Sequence, residues 1–379
     1  MSHRFSEKAQ VIGVGRTEIS RSSGRSTLEL AVEAIRAASD DAGIEARDVD
    51  GMLTYHLGDS APLQQVSDTL GIARPSWQSE VYGGGSHAAS ILGEAAALIE
   101  RGAARFVLVY RALNGRSGQR MGNASLRVAD EGEAAFYTPF GLRGPVVLFA
   151  LWAARLLAEK LLTPEEMAGA VIDSRRKARV NPRAIVREEL DLDAYRESPW
   201  VATPLRRADC CQETDAAIAM IVGPADWRPV RRPVRVVASV RAGGPGWTQF
   251  ETAEDPTAMF GRYVAPRLWD VSGLRPSDVD VAQLYDAYSF LVPRQLRDFG
   301  LYRDADLADQ LIAGGFGVND ALALNYHGGL LSEGYVHGLN NVAAAYEALR
   351  DGVAGSRDVA LCTGFAGSSG SGLLLAGDD

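Results

Sequence analysis

The chain has 379 residues and a formal net charge of −9, and its composition, 46% hydrophobic and 23% charged, is typical of a globular protein. An acidic balance does not suit binding to nucleic acid or to an anionic membrane surface, because both favour a positively charged face. No apolar run reaches the roughly 18 residues that a membrane-spanning helix needs, and the N-terminal segment lacks the apolar core of a secretion signal.

Helix-like and strand-like segments alternate from the start of the chain. Residues 26–43 carry apolar side chains at helical spacing and end in a glycine, which predicts a helix. Residues 48–56 predict a strand, and residues 86–103 predict a second helix. Residues 105–112, "RFVLVYRA", follow as a short apolar strand of the buried, parallel kind.

A long middle region, about residues 113–209, interrupts this alternation. It begins with a polar stretch without periodicity, and a helix-like apolar segment at 145–161 follows. The next helix is predicted to begin after Thr163, with Pro164 at its first position. We interpret the whole region as an insertion that covers the ends of a sheet.

The second half of the chain repeats the order of the first. Residues 42–53, "AGIEARDVDGML", resemble residues 272–284, "SGLRPSDVDVAQL". Residues 82–110 and residues 327–362 each contain a glycine cluster, then a helix, then a short apolar strand. Two homologous α/β halves with a few insertions would produce this pattern, and the alternation predicts sheets with helices on their faces.

A segment rich in proline and arginine, residues 223–234, is the predicted linker between the halves. We therefore predict an N-terminal half at 1–222, which contains the inserted region, and a C-terminal half at 223–379.

The three cysteines are Cys210, Cys211 and Cys362. Sequence neighbours rarely form a disulfide with each other, so we expect reduced thiols and a cytoplasmic protein. No set of residues has the spacing of a four-ligand zinc site, and we predict no metal.

Two glycine clusters, residues 83–85 and residues 328–329, each precede a predicted helix. A helix N-terminus exposes unpaired N–H groups, and glycine lets the backbone approach a ligand closely. Brought together, the two turns would stabilise an anion such as a thioester oxyanion or enolate. The alternative is that these glycines only pack helices tightly against strands.

Four motifs together resemble the thiolase superfamily, specifically the sterol-carrier-protein-x-type thiolases and "lipid-transfer" proteins. They are "TPLRRADCCQETDAAIAMIV" (203–222), "LYDAYSF" (284–290), "NYHGGLLSEGYVHG" (325–338) and "LCTGFAGSSGSG" (361–372). The resemblance covers essentially the whole chain. It implies a five-layered αβαβα fold made of two homologous halves, a homodimer, and coenzyme A thioester substrates. No cofactor is implied beyond the coenzyme A of the substrate.

The sequence departs from the thiolase pattern at the residues that carry thiolase chemistry. Gly85 stands where the family has its nucleophilic cysteine. Tyr335 and Tyr285 replace the two histidines, Ala287 replaces a cysteine, and Cys362 persists in the C-terminal loop. An acyl-enzyme route through cysteine is therefore closed.

One branch shares this replacement pattern: the sequence is similar to the bacterial steroid side-chain retro-aldolases that lack the catalytic cysteine. The resemblance implies a carbon–carbon lyase of lipid metabolism. It would split a β-hydroxyacyl-CoA, expected to be a steroid side-chain thioester, into a ketone and a short acyl-CoA such as propionyl-CoA. The resemblance also implies a partner protein built from a zinc ribbon and an OB-fold.

A retro-aldol step needs a base for the β-hydroxyl, donors for the enolate and a proton for Cα. Tyrosine is a weak base at its ordinary pKa of about 10, so we expect a helix N-terminus or a nearby histidinium to lower that pKa. The predicted catalytic residues are Tyr285, Tyr335, His337 and Asp286. The predicted substrate- and oxyanion-binding residues are Gly84, Gly85, Ser86, His87, Asn325, His327, Gly328, Gly329 and Cys362.

Each assignment has a structural alternative. Asp286 would orient a tyrosine or cap a helix, Asn325 would orient a water or hold a loop, and Cys362 would be a small packed residue. Two other functions also stay open: a non-catalytic subunit that binds acyl-CoA or lipid, and an acyltransferase that uses Ser86. The exchange of two histidines for two tyrosines favours the aldolase, because decay of an unused site would scatter its substitutions.

Overall fold

The computed structural model describes residues 8–73, 75–118, 120, 136, 138–142, 144–228, 232–244, 254–353, 358–367 and 369–377. Most of the polar stretch of the middle region, 121–135, and residues 229–231 of the predicted linker lie outside these ranges.

The strands of the described residues are β1 Ala9–Arg16, β2 Gly51–His56, β3 Trp77–Tyr82, β4 Val107–Asn114, β5 Trp200–Ala202, β6 Leu205–Arg206, β7 Asp215–Pro224, β8 Val234–Gly243, β9 Val281–Gln283, β10 Ala323–Leu324, β11 Val359–Ala366 and β12 Ser369–Gly377.

The helices of the same ranges are α1 Thr27–Ala42, α2 Leu63–Leu70, α3 Ser90–Glu100, α4 Pro145–Ala158, α5 Pro164–Ala178, α6 Leu192–Glu197, α7 Gly261–Ser272, α8 Leu291–Asp298, α9 Leu307–Ala313, α10 Gly329–Ser332 and α11 Leu339–Asp351.

The internal repeat is visible in the order of the strands. Ten strands join into one hydrogen-bonded ladder in the order β10-β9-β11-β12-β8-β1-β7-β4-β2-β3. When each strand is matched to its counterpart in the other half, the order reads the same from both ends. Each half of the chain contributes two parallel and two antiparallel strand pairings. A short antiparallel pairing of β1 with β8 joins the halves at the centre.

Three apolar clusters show how the helices layer on these strands. The central cluster joins α3 and α11 to strands of both halves. A second cluster places α1 and α2 on the outer face of the N-terminal strands, and a third places α7 and α8 on the outer face of the C-terminal strands. The strands of each half therefore form one sheet layer, and the layers follow the order helix, sheet, helices, sheet, helix. The predicted five-layered α/β fold is confirmed.

The helix starts read from the sequence are confirmed. Ser26 caps α1 in a capping box with Glu29, and Gly43 ends the helix in the left-handed conformation. Thr163 caps α5 in the same way, with Pro164 at the first helical position. Side-chain hydrogen bonds of this kind are local in sequence, so they can be predicted without the tertiary structure.

The middle region packs against the second glycine turn. Ser174, on α5, donates a hydrogen bond of 2.7 Å to the carbonyl oxygen of Gly328, and its hydroxyl lies 2.6 Å from that of Ser332. Residues 185–186 donate backbone hydrogen bonds to residues 332–333. The predicted boundary between the halves at 222/223 stays a prediction, and it falls within β7.

None of the helices in the described part of the chain combines the length and the apolar character needed to cross a membrane.

Candidate active site

The two predicted catalytic tyrosines meet. The hydroxyl oxygens of Tyr285 and Tyr335 lie 2.8 Å apart, and both side chains are buried. Tyr285 follows the end of β9, whereas Tyr335 lies in the loop between α10 and α11. The tertiary structure therefore joins two residues that are 50 positions apart in the sequence.

Buried threonines hold the backbones of both tyrosines. The Tyr285 N–H donates to Thr363 Oγ1 at 2.8 Å, and its carbonyl accepts from Gln295 Nε2 at 2.8 Å. Thr214 Oγ1 accepts from the Tyr335 N–H at 3.0 Å and lies 2.9 Å from the Tyr335 carbonyl. Sequence reasoning missed Thr214, Thr363 and Gln295, although Thr363 lies within the quoted C-terminal motif.

The expected lowering of the tyrosine pKa is wrong. Burial raises the pKa of Tyr285 and of Tyr335 well above the ordinary value, because each phenolate would lose its hydration. The two hydroxyls are therefore neutral at physiological pH, and any proton transfer through them begins from the neutral pair.

Gly85 leaves the space that the ring of Tyr285 occupies. A Cβ atom at Gly85 would overlap the hydroxyl and ring of Tyr285, and one at Gly338 would lie 2.8 Å from the same ring. A cysteine at position 85 and a tyrosine at position 285 thus exclude each other in this arrangement.

His337 lies beside the tyrosine pair but is not a histidinium. Its ring centroid is 5.3 Å from that of Tyr335, and its Nδ1 lies 3.0 Å from Arg111 Nη2. Burial and the neighbouring Arg111 cation lower the pKa of His337 to about 3. The expectation that a histidinium acidifies a tyrosine is therefore wrong for His337.

Arg111 and Asp59 are polar residues of the site that sequence reasoning missed. Arg111 is fully buried on β4 and donates to Asp59 Oδ1 at 2.6 Å. A signal was present in the sequence, since Arg111 interrupts the apolar run "RFVLVYRA" that was predicted to be buried. A buried arginine needs a partner, and such a partner comes from elsewhere in the chain.

Ser86 and His87 lie on the first glycine turn, as predicted. Ser86 Oγ is 3.3 Å from His87 Nδ1, so the structure supplies the candidate base that the sequence did not identify for Ser86. Burial, with a smaller effect from Arg241, lowers the pKa of His87 to about 4. His87 is therefore neutral at physiological pH.

Asp286 has the contacts of a helix cap. Its carboxylate accepts from the N–H groups of Leu330, at 2.9 Å, and Leu331, at 3.4 Å, and from Asn341 Nδ2 at 3.3 Å. A Cβ atom at Gly329 would overlap this carboxylate. Burial raises the pKa of Asp286. These contacts correspond to the capping alternative, and a catalytic role for Asp286 stays a prediction.

Asn325 has the contacts of a loop clamp. Its side-chain oxygen accepts from the Leu284 N–H at 2.7 Å, and its Nδ2 donates to the Leu284 carbonyl at 2.9 Å. Leu284 immediately precedes Tyr285, so the clamp helps to set the position of that tyrosine. The geometry corresponds to the loop-holding alternative.

His327 belongs to a neighbouring polar cluster. Its Nδ1 lies 2.9 Å from Glu333 Oε2, and the Glu333 carboxylate also accepts from Asn181 and Asn340. Burial alone would raise the pKa of Glu333, but His327 and nearby arginines lower it. This cluster lies beside the second glycine turn, and its hydrogen bonds join His327, Asn181 and Asn340 to the Glu333 carboxylate.

Cys362 lies inside β11, in the apolar central cluster and not among the polar groups around the tyrosines. Burial raises the pKa of its thiol, so the reactive thiolate is disfavoured. The geometry corresponds to the packing alternative, and a substrate-binding role for Cys362 stays a prediction.

Replacing Cys362 by alanine is expected to change kcat less than about threefold and to lower stability by about 1 kcal/mol, since one buried sulfur is removed. Steady-state kinetics and thermal unfolding measure the two effects. A thousandfold loss of kcat in a folded variant would show that a thiol takes part in the chemistry.

A cavity of about 260 Å³ adjoins the tyrosine pair. Tyr335 is part of its wall, together with two carboxylate residues, Asp59 and Glu213. The other lining residues are Thr27, Gly58, Ser60, Leu113, Asn114 and Gly115. Tyr335 thus borders the cavity, and Tyr285 contacts Tyr335 through its hydroxyl. The described residues contain no group of three or more histidine, cysteine or acidic side chains arranged to hold a metal ion.

Comparison with known proteins agrees with the resemblance. Residues 247–376 match the model of the "thiolase C-terminal domain-like" family. The chain is 33% identical to the 17-hydroxy-3-oxo-4-pregnene-20-carboxyl-CoA lyase of Mycobacterium tuberculosis, over 98% of this chain and 100% of that protein. It is 34% identical to the steroid side-chain-cleaving aldolase of Thermomonospora curvata, over 98% of each chain.

A similar solved structure is that of the Ltp2-ChsH2(DUF35) aldolase. It is 33% identical, it aligns with a TM-score of 0.89, and the match covers 99% of both chains.

Proposed function

The chain belongs to the thiolase superfamily, in the branch of the steroid side-chain-cleaving aldolases, and we propose that its tyrosine pair carries the proton transfers of a retro-aldol cleavage. The substrate is a β-hydroxyacyl-CoA, in this proposal a steroid side-chain thioester, and the products are a ketone and a short acyl-CoA such as propionyl-CoA. The contact between the Tyr285 and Tyr335 hydroxyls is the single observation that carries the proposal.

The reaction requires no covalent acyl-enzyme, which agrees with a glycine at position 85. Cleavage moves the proton of the substrate β-hydroxyl to a base, breaks the Cα–Cβ bond and leaves a ketone and a thioester enolate. The enolate then takes a proton at Cα. One proton leaves an oxygen and one arrives at a carbon, so the step is balanced without an oxidant or other co-reactant.

A neutral tyrosine pair can move this proton as a relay. One hydroxyl accepts the proton of the substrate β-hydroxyl as it passes its own proton across the 2.8 Å contact, and the second hydroxyl passes its proton in turn to Cα of the forming enolate, so each tyrosine receives one proton and gives up one. A free tyrosinate never accumulates, which agrees with the raised pKa of both residues.

The relay predicts a flat pH profile. Because burial raises the pKa of both tyrosines above the ordinary value of about 10, their protonation does not change between about pH 6 and 9. We therefore expect kcat to be independent of pH in that range, and stopped-flow rates of product formation test this. A change of kcat with an apparent pKa near 7 that is absent from Tyr335→Phe would contradict the proposal that both tyrosines stay neutral.

The function is tested by incubating the protein with a panel of β-hydroxyacyl-CoA thioesters and detecting the ketone and the shortened acyl-CoA by mass spectrometry. Steroid thioesters and simpler branched ones are compared, each with and without a candidate partner protein. Release of a short acyl-CoA with an equal amount of ketone supports the proposal. Intact-protein mass spectrometry in the same samples tests the acyltransferase alternative, since an acyl group on Ser86 would contradict the aldolase mechanism.

We also propose assembly with a zinc-ribbon/OB-fold protein and with a second copy of the chain. The similar structure of the Ltp2-ChsH2(DUF35) aldolase supports a heteromer. The homodimer is supported by β3, an edge strand on which Trp77 and Tyr82 are 48% and 78% exposed. Sedimentation of the chain alone and with the partner measures both assemblies. A cytoplasmic location stays a prediction from the sequence.

A further inference from the structure

We propose that Asp59 and Arg111 are positioning residues that hold His337 as a neutral Nε2–H donor to the thioester oxygen of the substrate. The proposal rests on the proposed function, because the oxygen in question is the one that becomes the enolate during cleavage. Asp59 and Arg111 lie far from the glycine turns in sequence, and the tertiary structure brings them to His337.

The hydrogen bonds of Arg111 determine which nitrogen of His337 carries the proton. Its guanidinium is fully buried and donates to the Ala112 carbonyl at 2.9 Å and to Asp59 Oδ1 at 2.6 Å. The third contact is with His337 Nδ1 at 3.0 Å. A guanidinium has donors only and stays charged, so Nδ1 must accept. In a neutral imidazole the proton then sits on Nε2.

The charge of the ring follows from the same contact. Burial and the Arg111 cation disfavour a second proton and lower the pKa of His337 to about 3. The other charged or titratable groups around the ring are Asp59, His87, Tyr55 and Tyr335. The carboxylate of Asp59 acts in the opposite direction, but it does not restore an ordinary value. His337 is therefore a donor at Nε2 and not an acid.

The Nε2 atom faces the first glycine turn. A Cβ atom at Gly84 would lie 2.9 Å from Nε2, so the glycine leaves room in front of this donor. The ring of Tyr335 lies on the other side, 5.3 Å away between centroids. A thioester oxygen placed over the turn would be within reach of Nε2–H while the β-carbon faces the tyrosine hydroxyl. Preorganised donors of this kind stabilise an enolate as it forms.

His337 is held at its backbone as well as at its ring. Its φ is +53°, in the left-handed region, and its carbonyl accepts from the Tyr55 hydroxyl at 3.0 Å. The Asp59 carboxylate forms an ion pair with the buried Arg111 guanidinium. Asp59 also lines the cavity, and its side chain is 20% exposed. A donor fixed from both ends needs no reorganisation when the enolate appears, which is the property that makes such donors effective.

Two substitutions of His337 form a matched pair that separates donation from packing. In His337→Gln the amide nitrogen reaches about as far as Nε2, whereas in His337→Asn it reaches only about as far as Nδ1. Asparagine tolerates the left-handed backbone well, so strain does not explain a loss in that variant. We expect kcat to fall about 10²- to 10³-fold in His337→Asn, with KM within a few fold, and to recover to within about tenfold of wild type in His337→Gln. Equal kcat values in the two variants overturn the proposal.

A spectroscopic measurement tests the positioning role without turnover. In protein labelled with ¹⁵N-histidine, the chemical shifts of the ring nitrogens report which one is protonated, and the His337 signals are those that disappear in His337→Gln. We expect a protonated Nε2 and an unprotonated Nδ1 in the free enzyme. A mixture of tautomers is expected in Arg111→Met, which removes the donor to Nδ1, and in Asp59→Ala, where Arg111 loses the carboxylate that holds it. A proton on Nδ1 in the wild type overturns the proposal.

The kinetic and the spectroscopic measurements distinguish failure of the proposed function from failure of the donor role of His337. If no β-hydroxyacyl-CoA is cleaved by the wild type, the proposed function fails, while the tautomer of His337 is still decided by the spectrum. If cleavage is observed but the Asn and Gln variants behave alike, only the donor role fails. Circular dichroism confirms folding of each variant, and the wild-type spectrum tests the inference even where a variant unfolds.

Discussion

Phenylalanine in place of Tyr335 or Tyr285 is expected to lower kcat by about 10²- to 10⁴-fold, the usual contribution of general acid–base catalysis. This corresponds to about 3 to 5.5 kcal/mol of barrier, at 1.36 kcal/mol for each factor of ten. Each substitution removes one oxygen from the contact at 2.8 Å and leaves the ring in place. The loss should fall on kcat rather than KM, since the hydroxyl acts in the transition state. Steady-state kinetics on a verified substrate measure it.

The double variant distinguishes a relay from two independent hydroxyls. If the proton crosses from one tyrosine to the other, removing either hydroxyl already stops transfer, and the double variant should be little slower than the worse single one. Tyr288→Phe is the matched control. Tyr288 is buried and its ring lies near those of Phe149 and Phe290, and the substitution should lower kcat less than about tenfold. Near wild-type kcat in both single variants would refute the tyrosine mechanism and leave the cluster as a wall of the pocket.

Alanine at Gly85 is expected to reduce kcat by at least about 100-fold, because its Cβ would overlap the hydroxyl and ring of Tyr285 and displace them. Overpacking at such a site also costs about 1 to 3 kcal/mol of stability. The matched control is Gly317→Ala, where the nearest atom to the new Cβ is Asp320 Oδ2, at 3.2 Å, the end of a movable side chain. Kinetics and thermal unfolding of both variants measure the two effects.

The same substitution in the Tyr285→Phe background shows whether the loss passes through the tyrosine. If Gly85→Ala acts by moving the Tyr285 hydroxyl, it should add little further loss of kcat once that hydroxyl is absent. If the losses of kcat from Gly85→Ala and Tyr285→Phe multiply in full, the first glycine turn has a role separate from Tyr285. If Gly85→Ala alone keeps near wild-type kcat, the contact between position 85 and Tyr285 has no catalytic importance. Gly85→Cys should likewise fail to create a thiolase-like nucleophile while Tyr285 occupies the space.

The sequence predicted the fold and the branch because their signals are local or repeated. The glycine turns, the helix that ends at Gly43, the Thr163 cap with Pro164 and the repeat of short apolar strands can be read along the chain. The structure confirms the five layers and the palindromic strand order that such a repeat implies. The motifs alone also led us to predict that Gly85, Tyr285 and Tyr335 stand in the place of thiolase residues.

Sequence reasoning was wrong about protonation. It expected a helix N-terminus or a nearby histidinium to lower the tyrosine pKa, whereas burial raises the pKa of both tyrosines and lowers that of His337. The sign of such a shift depends on how much water reaches the group and on which charges surround it. Neither quantity is a property of the neighbouring residues in the chain.

What the sequence by itself determined is therefore the set of residue types at the site: no thiol nucleophile, two tyrosines and two glycine turns. Only the tertiary structure decided how those residues act. It brings together the hydroxyls of Tyr285 and Tyr335, and it places Arg111 against His337 across 226 positions of the chain. The physical reason is that hydrogen-bond partners and desolvation arise from contacts between remote segments, which exist only once the two halves have packed around their central helices.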